Sequence, residues 1–278
     1  MNLPDLIDDV SAALGFEGPQ LLARGGQKLV LSGTLSGTPA VAKIVLLMPG
    51  PNGAVTLERA HREVELLSAV DSERVVKVLT DAVELGDPPI AVCWAEELLD
   101  GEDLVASLDR QWDEENVWRL LEDMAEALAC CHDLGVVHRD LSPGNVRRLP
   151  DGHFALMDPG LARHLEKTAL TGAFQPGTAG WRSPEHVLGG DPMPASDIFA
   201  LGILAFYALS GSFPVDPNAD DYDRALVEDQ APSISTLVPG VSKELCEVVD
   251  RCLSRQQARR YIDGAELMEA LSGLVGQR

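Results

Sequence analysis

Residues 138–145 read His138-Arg139-Asp140-Leu141-Ser142-Pro143-Gly144-Asn145, and a second acidic turn, Asp158-Pro159-Gly160, follows. An imidazole, a guanidinium, a carboxylate and a carboxamide thus fall within one polar loop. Two short apolar runs, Val136-Val137 and residues 154–157, bracket it. Beyond it, residues 158–185 carry no regular periodicity, and long irregular loops in compact domains are usually functional or disordered. Upstream, Val117, Leu120, Leu121, Met124, Leu128 and Cys131 recur at spacings of three and four, which predicts a helix over residues 116–134 ended by Gly135. Downstream, residues 243–253 and 264–274 read as amphipathic helices.

Residues 198–215 contain no charge, and 18 such residues reach the lower edge of a membrane span. Only residues 198–209 are continuously apolar, Ser210-Gly211-Ser212 and Pro214 end any helix, and no basic flank supplies an orientation signal. The segment is expected to be the central buried helix of a large helical domain.

The first third of the chain differs. β-Branched runs punctuated by glycine predict strands over residues 29–31, 40–46, 75–83 and 90–95, with turns at 32–38 and 86–89. Leu57, Ala60, Val64 and Leu67 share one face of a helix over 56–70. A further short helix is expected over residues 4–14. The pattern is α+β: a small sheet-rich lobe followed by a larger, mainly helical one. In the strand Val41-Ala42-Lys43-Ile44-Val45, alternation puts Lys43 opposite Ala42 and Ile44. A lone lysine there is either edge protection or a phosphate ligand awaiting an acidic partner, and the following helix supplies Glu63.

The lysine, the loop and the acidic turn occur in an order and spacing that resembles the protein-kinase superfamily. The family has a V-A-I-K lysine, an H-R-D-x-x-x-x-N catalytic loop and a D-x-G. Gly177-Thr178-Ala179-Gly180-Trp181-Arg182-Ser183-Pro184-Glu185 extends the likeness to the segment that closes the kinase activation loop. So do Asp197, which in the family holds the catalytic-loop backbone, and Arg260, placed to pair with Glu185. The resemblance covers residues 21–274 and implies a bilobal fold with an N-terminal extension (1–18), an ATP-binding lobe (19–97) and a catalytic lobe (98–278).

The resemblance also implies roles. Lys43, paired to Glu63, would hold the α- and β-phosphates of ATP; Asp140 would accept the proton of the substrate hydroxyl; Asn145 and Asp158 would hold Mg²⁺. Adenine would meet backbone groups of a hinge at Glu97 and Leu99. Glu96 then falls where many kinases place an apolar gatekeeper, or, one residue out of register, at solvent. Thr178 implies Ser/Thr acceptors, and Arg139 implies control by phosphorylation at Thr168 or Thr171.

The departures are specific. Ala23-Arg24-Gly25-Gly26-Gln27-Lys28-Leu29-Val30 aligns with the glycine-rich loop G-x-G-x-x-G-x-V but keeps only the middle glycine and Val30. Gly25, Gly26 and Lys28 are the expected phosphate contacts there, and a plain hairpin turn is the other reading. Ser142 replaces a lysine usual in Ser/Thr kinases, and Pro159 replaces a phenylalanine. These changes keep open a pseudokinase that binds nucleotide or a partner without transfer. A kinase-like small-molecule phosphotransferase is a third reading, against which the 177–185 segment counts.

Composition sets outer bounds. The chain has 22 basic and 44 acidic residues, a net charge of −22, which opposes nucleic acid and anionic membranes as partners. Five lysines against 17 arginines point to a GC-rich bacterial source. Five cysteines without a C-x-x-C pair, and no secretion signal, lead us to expect reduced thiols in a cytoplasm. The reading is an ATP- and Mg²⁺-dependent Ser/Thr protein kinase acting on proteins, with dimerisation left open.

Overall fold

The computed structural model describes residues 2–108, 111–158, 180–191 and 193–274. They fall into two compact units: residues 2–70 with 76–99, and residues 71–75 with the described residues from 100 onward.

In the first unit, Asn2 caps helix α1 (Leu3–Leu14) by accepting from the Asp5 N–H at 2.9 Å, and Gly15 at φ 66° closes it. Strands β1 (Phe16–Arg24), β2 (Lys28–Leu35) and β3 (Thr38–Leu46), helix α2 (Pro51–Ser68), and strands β4 (Val83–Leu85) and β5 (Ala91–Glu97) follow. The sheet is antiparallel, in the order β1-β2-β3-β5-β4. Its strand alternation sorts the residues onto two faces. Leu29, Leu31, Ala40, Ala42, Ile44, Ala91 and Cys93 form a core with Leu6 and Val10 of α1. Val41, Lys43, Val45, Val92, Trp94 and Glu96 take the opposite face. Helix α1 therefore belongs to the sheet, and β1 begins inside the segment expected to be an extension.

Three expectations differ from the structure here. The turn expected at 32–38 is confined to Ser36 (φ 51°) and Gly37 (φ 80°), the two left-handed residues of a tight hairpin. Gly33 is a strand residue: a Cβ there would sit 2.5 Å from the Phe16 ring, so the glycine marks close packing rather than a turn. Of residues 75–83 only Val83 lies in a strand, as the start of β4; residues 75–82 are not one. They meet neighbours one group at a time, the Lys77 carbonyl accepting from the Glu97 N–H at 2.9 Å and the Leu79 N–H donating to the Ala95 carbonyl at 2.8 Å. Helix α2 starts at Pro51, ahead of the expected residue 56, because proline at the first helical turn lacks only an N–H that has no helical partner.

The second unit is mainly helical. After β6 (Glu102–Asp103) and the short α3 (Leu104–Ser107), Asp113 caps α4 (Glu114–Asp133), moving its start ahead of residue 116. Strands β7 (Val146–Arg148) and β8 (Phe154–Leu156) bracket a hairpin and, with β6, form a small sheet. Helices α5 (Pro184–Val187), α6 (Pro194–Ser210), α7 (Tyr222–Glu228), α8 (Lys243–Cys252) and α9 (Gly264–Ser272) complete it. Helix α6 is buried from Ala195 to Leu209 except at Tyr207, and α8 comes so close that a Cβ on Gly202 would lie 2.7 Å from Cys252 Cβ. No helix of the described residues is long and apolar enough to cross a membrane.

Candidate active site

The second unit holds the loop at 138–145. Gly135 (φ 75°) turns the chain out of α4, and the loop backbone is then fixed by one carboxylate. Asp197, on α6 and 1% exposed, accepts from the His138 N–H at 2.7 Å through Oδ2 and from the Arg139 N–H at 2.8 Å through Oδ1. A third donor reaches it from α4: His132 Nε2 lies 3.0 Å from Oδ2, while His132 Nδ1 accepts from the Gly264 N–H at 3.1 Å. That pattern assigns the proton of His132 to Nε2. Three donors offset the cost of burying the carboxylate.

His138 is fixed in the same way. Its Nδ1 accepts from the Asp140 N–H at 3.3 Å, so Nε2 donates to the Met157 carbonyl at 2.9 Å. The turn at 138–140 is thereby tied to the residue that precedes Asp158. Asn145 Nδ2 donates to the Asp140 carbonyl at 2.8 Å, a bond that does not use its Oδ1 acceptor. The Met157 N–H donates to the Asn145 carbonyl at 2.9 Å. Asp140, Asn145 and Asp158 are each half-buried. Arg139 (φ 69°) and Asp158 (φ 50°) both occupy the left-handed region, uncommon for residues with side chains and costly enough to persist only where surrounding bonds impose it.

Further along, Glu185 on α5 and Arg260 form a bidentate pair, Nη1 to Oε1 at 2.8 Å and Nη2 to Oε2 at 3.0 Å. Arg260 is 1% exposed, and its remaining N–H groups donate to the carbonyls of Ser254, Ala195 and Arg255. Burial pushes the Glu185 carboxyl up, but the Arg260 bonds and charge outweigh it, with help from Ser196, and hold the group down to about 2. Gly180 (φ 96°) packs against Phe213, which meets the Trp181 ring at 5.0 Å. Pro159, Thr168, Thr171 and Thr178 lie outside the described residues.

In the first unit, register places Lys43 between Val30 on β2 and Trp94 on β5. Its ammonium forms an ion pair with Oε2 of Glu96, and Trp94 Nε1 donates to Glu96 Oε1 at 2.8 Å. Lys43 is 5% exposed, Glu96 2% and Trp94 0%. Of the two placements open for Glu96, the buried one is found. Glu63 is half-buried on α2, on the turn that carries Ala60 and Val64 into the core. The hairpin between β1 and β2 turns at Gly25-Gly26-Gln27, closed by the Gly25 N–H donating to the Lys28 carbonyl at 2.8 Å. Neither glycine has positive φ, and nothing lies within 3.5 Å of the position a Cβ would take on either. Their smallness keeps the space over the hairpin open. In the segment expected to be the hinge, the Glu97 N–H is committed to Lys77 and the Leu98 N–H to Pro39 at 3.3 Å; Leu99 is half-buried.

Two members of these networks went unassigned by sequence reasoning. His132 reads as part of Cys130-Cys131-His132, with nothing to link it to Asp197 65 residues away. The Glu96 pairing had a signal, an acid directly abutting the apolar run at 91–95.

Comparison with known proteins places this geometry. Residues 33–270 match the family model of the protein kinase domain. A serine/threonine-protein kinase of Corynebacterium efficiens is 32% identical over 229 residues, covering 80% of this chain and 43% of its own. Serine/threonine-protein kinase pkn2 of Myxococcus xanthus is 32% identical over 77% of this chain and 27% of its own. PknA of Mycobacterium tuberculosis is 31% identical over 66% and 42%. The chain thus spans less than half the length of these relatives. Among solved structures, Rad53 residues 1–466 in complex with AMP-PNP align with a TM-score of 0.70 at 19% identity, over 92% of this chain and 64% of that one, a likeness of fold.

Proposed function

This chain belongs to the protein kinase family, and on that premise we propose that it transfers the γ-phosphoryl group of ATP to serine or threonine hydroxyls of proteins. The observation that carries the reading is the pinned loop. Asp197 holds the backbone of His138 and Arg139 while Asn145 holds the Asp140 carbonyl, so the backbone that carries the Asp140 carboxylate is held before any substrate arrives. Phosphoryl transfer asks little covalent work of the protein, and positioning with charge neutralisation supplies most of the acceleration.

Asp140 accepts the proton of the acceptor hydroxyl and directs its oxygen in line with the phosphorus. Lys43 binds the α- and β-phosphates; Gly25, Gly26 and Lys28 line their approach, with Val30 beneath the nucleotide. The Glu97 carbonyl and the Leu99 backbone meet adenine. The donor set suits Mg²⁺: Asn145 Oδ1, not used by the bond its Nδ2 makes, and the Asp158 carboxylate are hard oxygen ligands. Bound there, Mg²⁺ would supply positive charge against the phosphate oxygens. Thr178 orients the acceptor hydroxyl, and phosphorylation at Thr168 or Thr171 engages Arg139. The relatives' names support Ser/Thr acceptors, and their organisms support a bacterial signalling role, which we place in the cytoplasm. The test is transfer of label from γ-³²P-ATP with Mg²⁺ to a generic protein and, separately, to small hydroxyl compounds. Label on serine or threonine is the expected result. Label on small compounds alone, or nucleotide binding with no transfer, would refute it.

A further inference from the structure

Strand β5 runs Ala91-Val92-Cys93-Trp94-Ala95-Glu96 wholly buried, and its last buried residue is an acid. A carboxylate at 2% exposure is costly to desolvate, and an apolar residue of similar volume would serve packing as well or better. Glu96 is nonetheless fully engaged. Trp94, two residues earlier on the same face and itself buried, donates to Oε1 at 2.8 Å and so fixes the carboxylate's orientation. That orientation turns Oε2 to the Lys43 ammonium, on the neighbouring strand and the same face. The arrangement is preformed within one sheet.

We propose that Glu96 is a positioning residue for Lys43 and sets nucleotide affinity, by holding the ammonium in an ion pair with which the phosphate oxygens of a nucleoside triphosphate compete. The inference rests on the assignment of Lys43 to phosphate given above. A lysine has three N–H donors, so the pair need not break completely when phosphate arrives. The Glu96 charge still attracts the ammonium and repels the incoming anion, in surroundings from which water is excluded and charge effects are strong. Removing that charge removes a competitor of phosphate for the Lys43 ammonium. The effect is confined to ligands that carry phosphate, which separates it from a general disturbance of β5.

The experiment measures affinity for ATP and for adenosine, both with Mg²⁺, by calorimetry on the parent chain, Glu96→Gln and Glu96→Met. The ratio of ATP to adenosine affinity is the readout, because a packing defect lowers both affinities together. Both variants are expected to raise that ratio on the order of tenfold, the scale of one charge-assisted bond. Adding Lys43→Met should abolish the gain. Should Glu96→Gln fail to fold, Glu96→Met fills the buried site with an apolar side chain and reads the same ratio. A parent that binds both ligands, with the ratio unchanged or lowered in the variants, overturns the role of Glu96 and leaves the kinase reading standing. A parent that binds neither ligand overturns both.

Discussion

Removing the Arg260 guanidinium is the most sensitive test of how the second unit is held together. All five of its N–H groups are engaged: two on Glu185 at 2.8 and 3.0 Å, and one each on the carbonyls of Ser254, Ala195 and Arg255 at 2.6, 3.1 and 2.9 Å. The guanidinium also stacks over the Phe199 ring, 4.6 Å from its centroid. Arg260→Ala strands a mostly buried carboxylate and three carbonyls, and breaking one partner of a buried pair costs about 3–5 kcal/mol. For a unit of this size that lowers Tm by roughly 10 °C. The pH dependence has a definite sign. Because the Glu185 carboxyl is held down to about 2, its contribution is fully present above the ordinary carboxylate range and is lost as pH falls from about 4.5 toward 2. Lowering a carboxyl from 4.5 to about 2 corresponds to about 3 kcal/mol. Urea unfolding of the parent and of Glu185→Gln, followed by tryptophan fluorescence from pH 6 to pH 2.5, should show the parent losing more stability by most of that amount. Equal losses in both proteins, or an Arg260→Ala midpoint within 2 °C of the parent, would refute the reasoning.

Other expectations follow from single contacts. Asp197→Asn presents an NH₂ to a backbone N–H that needs an acceptor, so the turn at His138-Arg139 shifts; transfer should fall on the order of 100-fold with ATP affinity kept, read by comparing kcat with calorimetric Kd. Gly26→Ala meets no atom within 4 Å and no unfavourable φ, so thermal melts should match the parent within about 0.5 kcal/mol, while ATP affinity drops because the methyl occupies the space over the hairpin. Leu6→Ala removes a buried contact between α1 and the sheet and should cost roughly 2–4 kcal/mol in urea unfolding, which would not occur if α1 were a detached extension.

The parts legible in the sequence were those whose signal is local. His138 to Asn145 carries its chemistry in one uninterrupted loop, and the charge-free segment at 198–209 announces a helix buried on every side. Strand boundaries were less legible where one residue type serves two purposes. Gly33 looks like a turn glycine but is a strand residue under Phe16, because the absence of a side chain suits either role. Residues 75–82 have the β-branched composition of a strand without its ladder, since Lys77 and Leu79 bond to β5 singly. Pairings across long separations were the least legible. Glu63 lies on the helix that follows Lys43 in sequence, whereas the pair made by Lys43 with Glu96 spans 53 residues and exists only because β3 and β5 are neighbours in the sheet. His132 likewise meets Asp197 through the packing of α4 on α6, which no spacing rule reveals.

The central claim, that a pre-positioned Asp140 takes the proton of the acceptor hydroxyl, is tested most directly by single-turnover phosphoryl transfer at saturating ATP and Mg²⁺ in the parent and in Asp140→Asn. The account predicts unchanged nucleotide affinity and a rate lower by about 100- to 10,000-fold in the variant, the range for loss of a general base. A variant that transfers phosphate at the parental rate would contradict it.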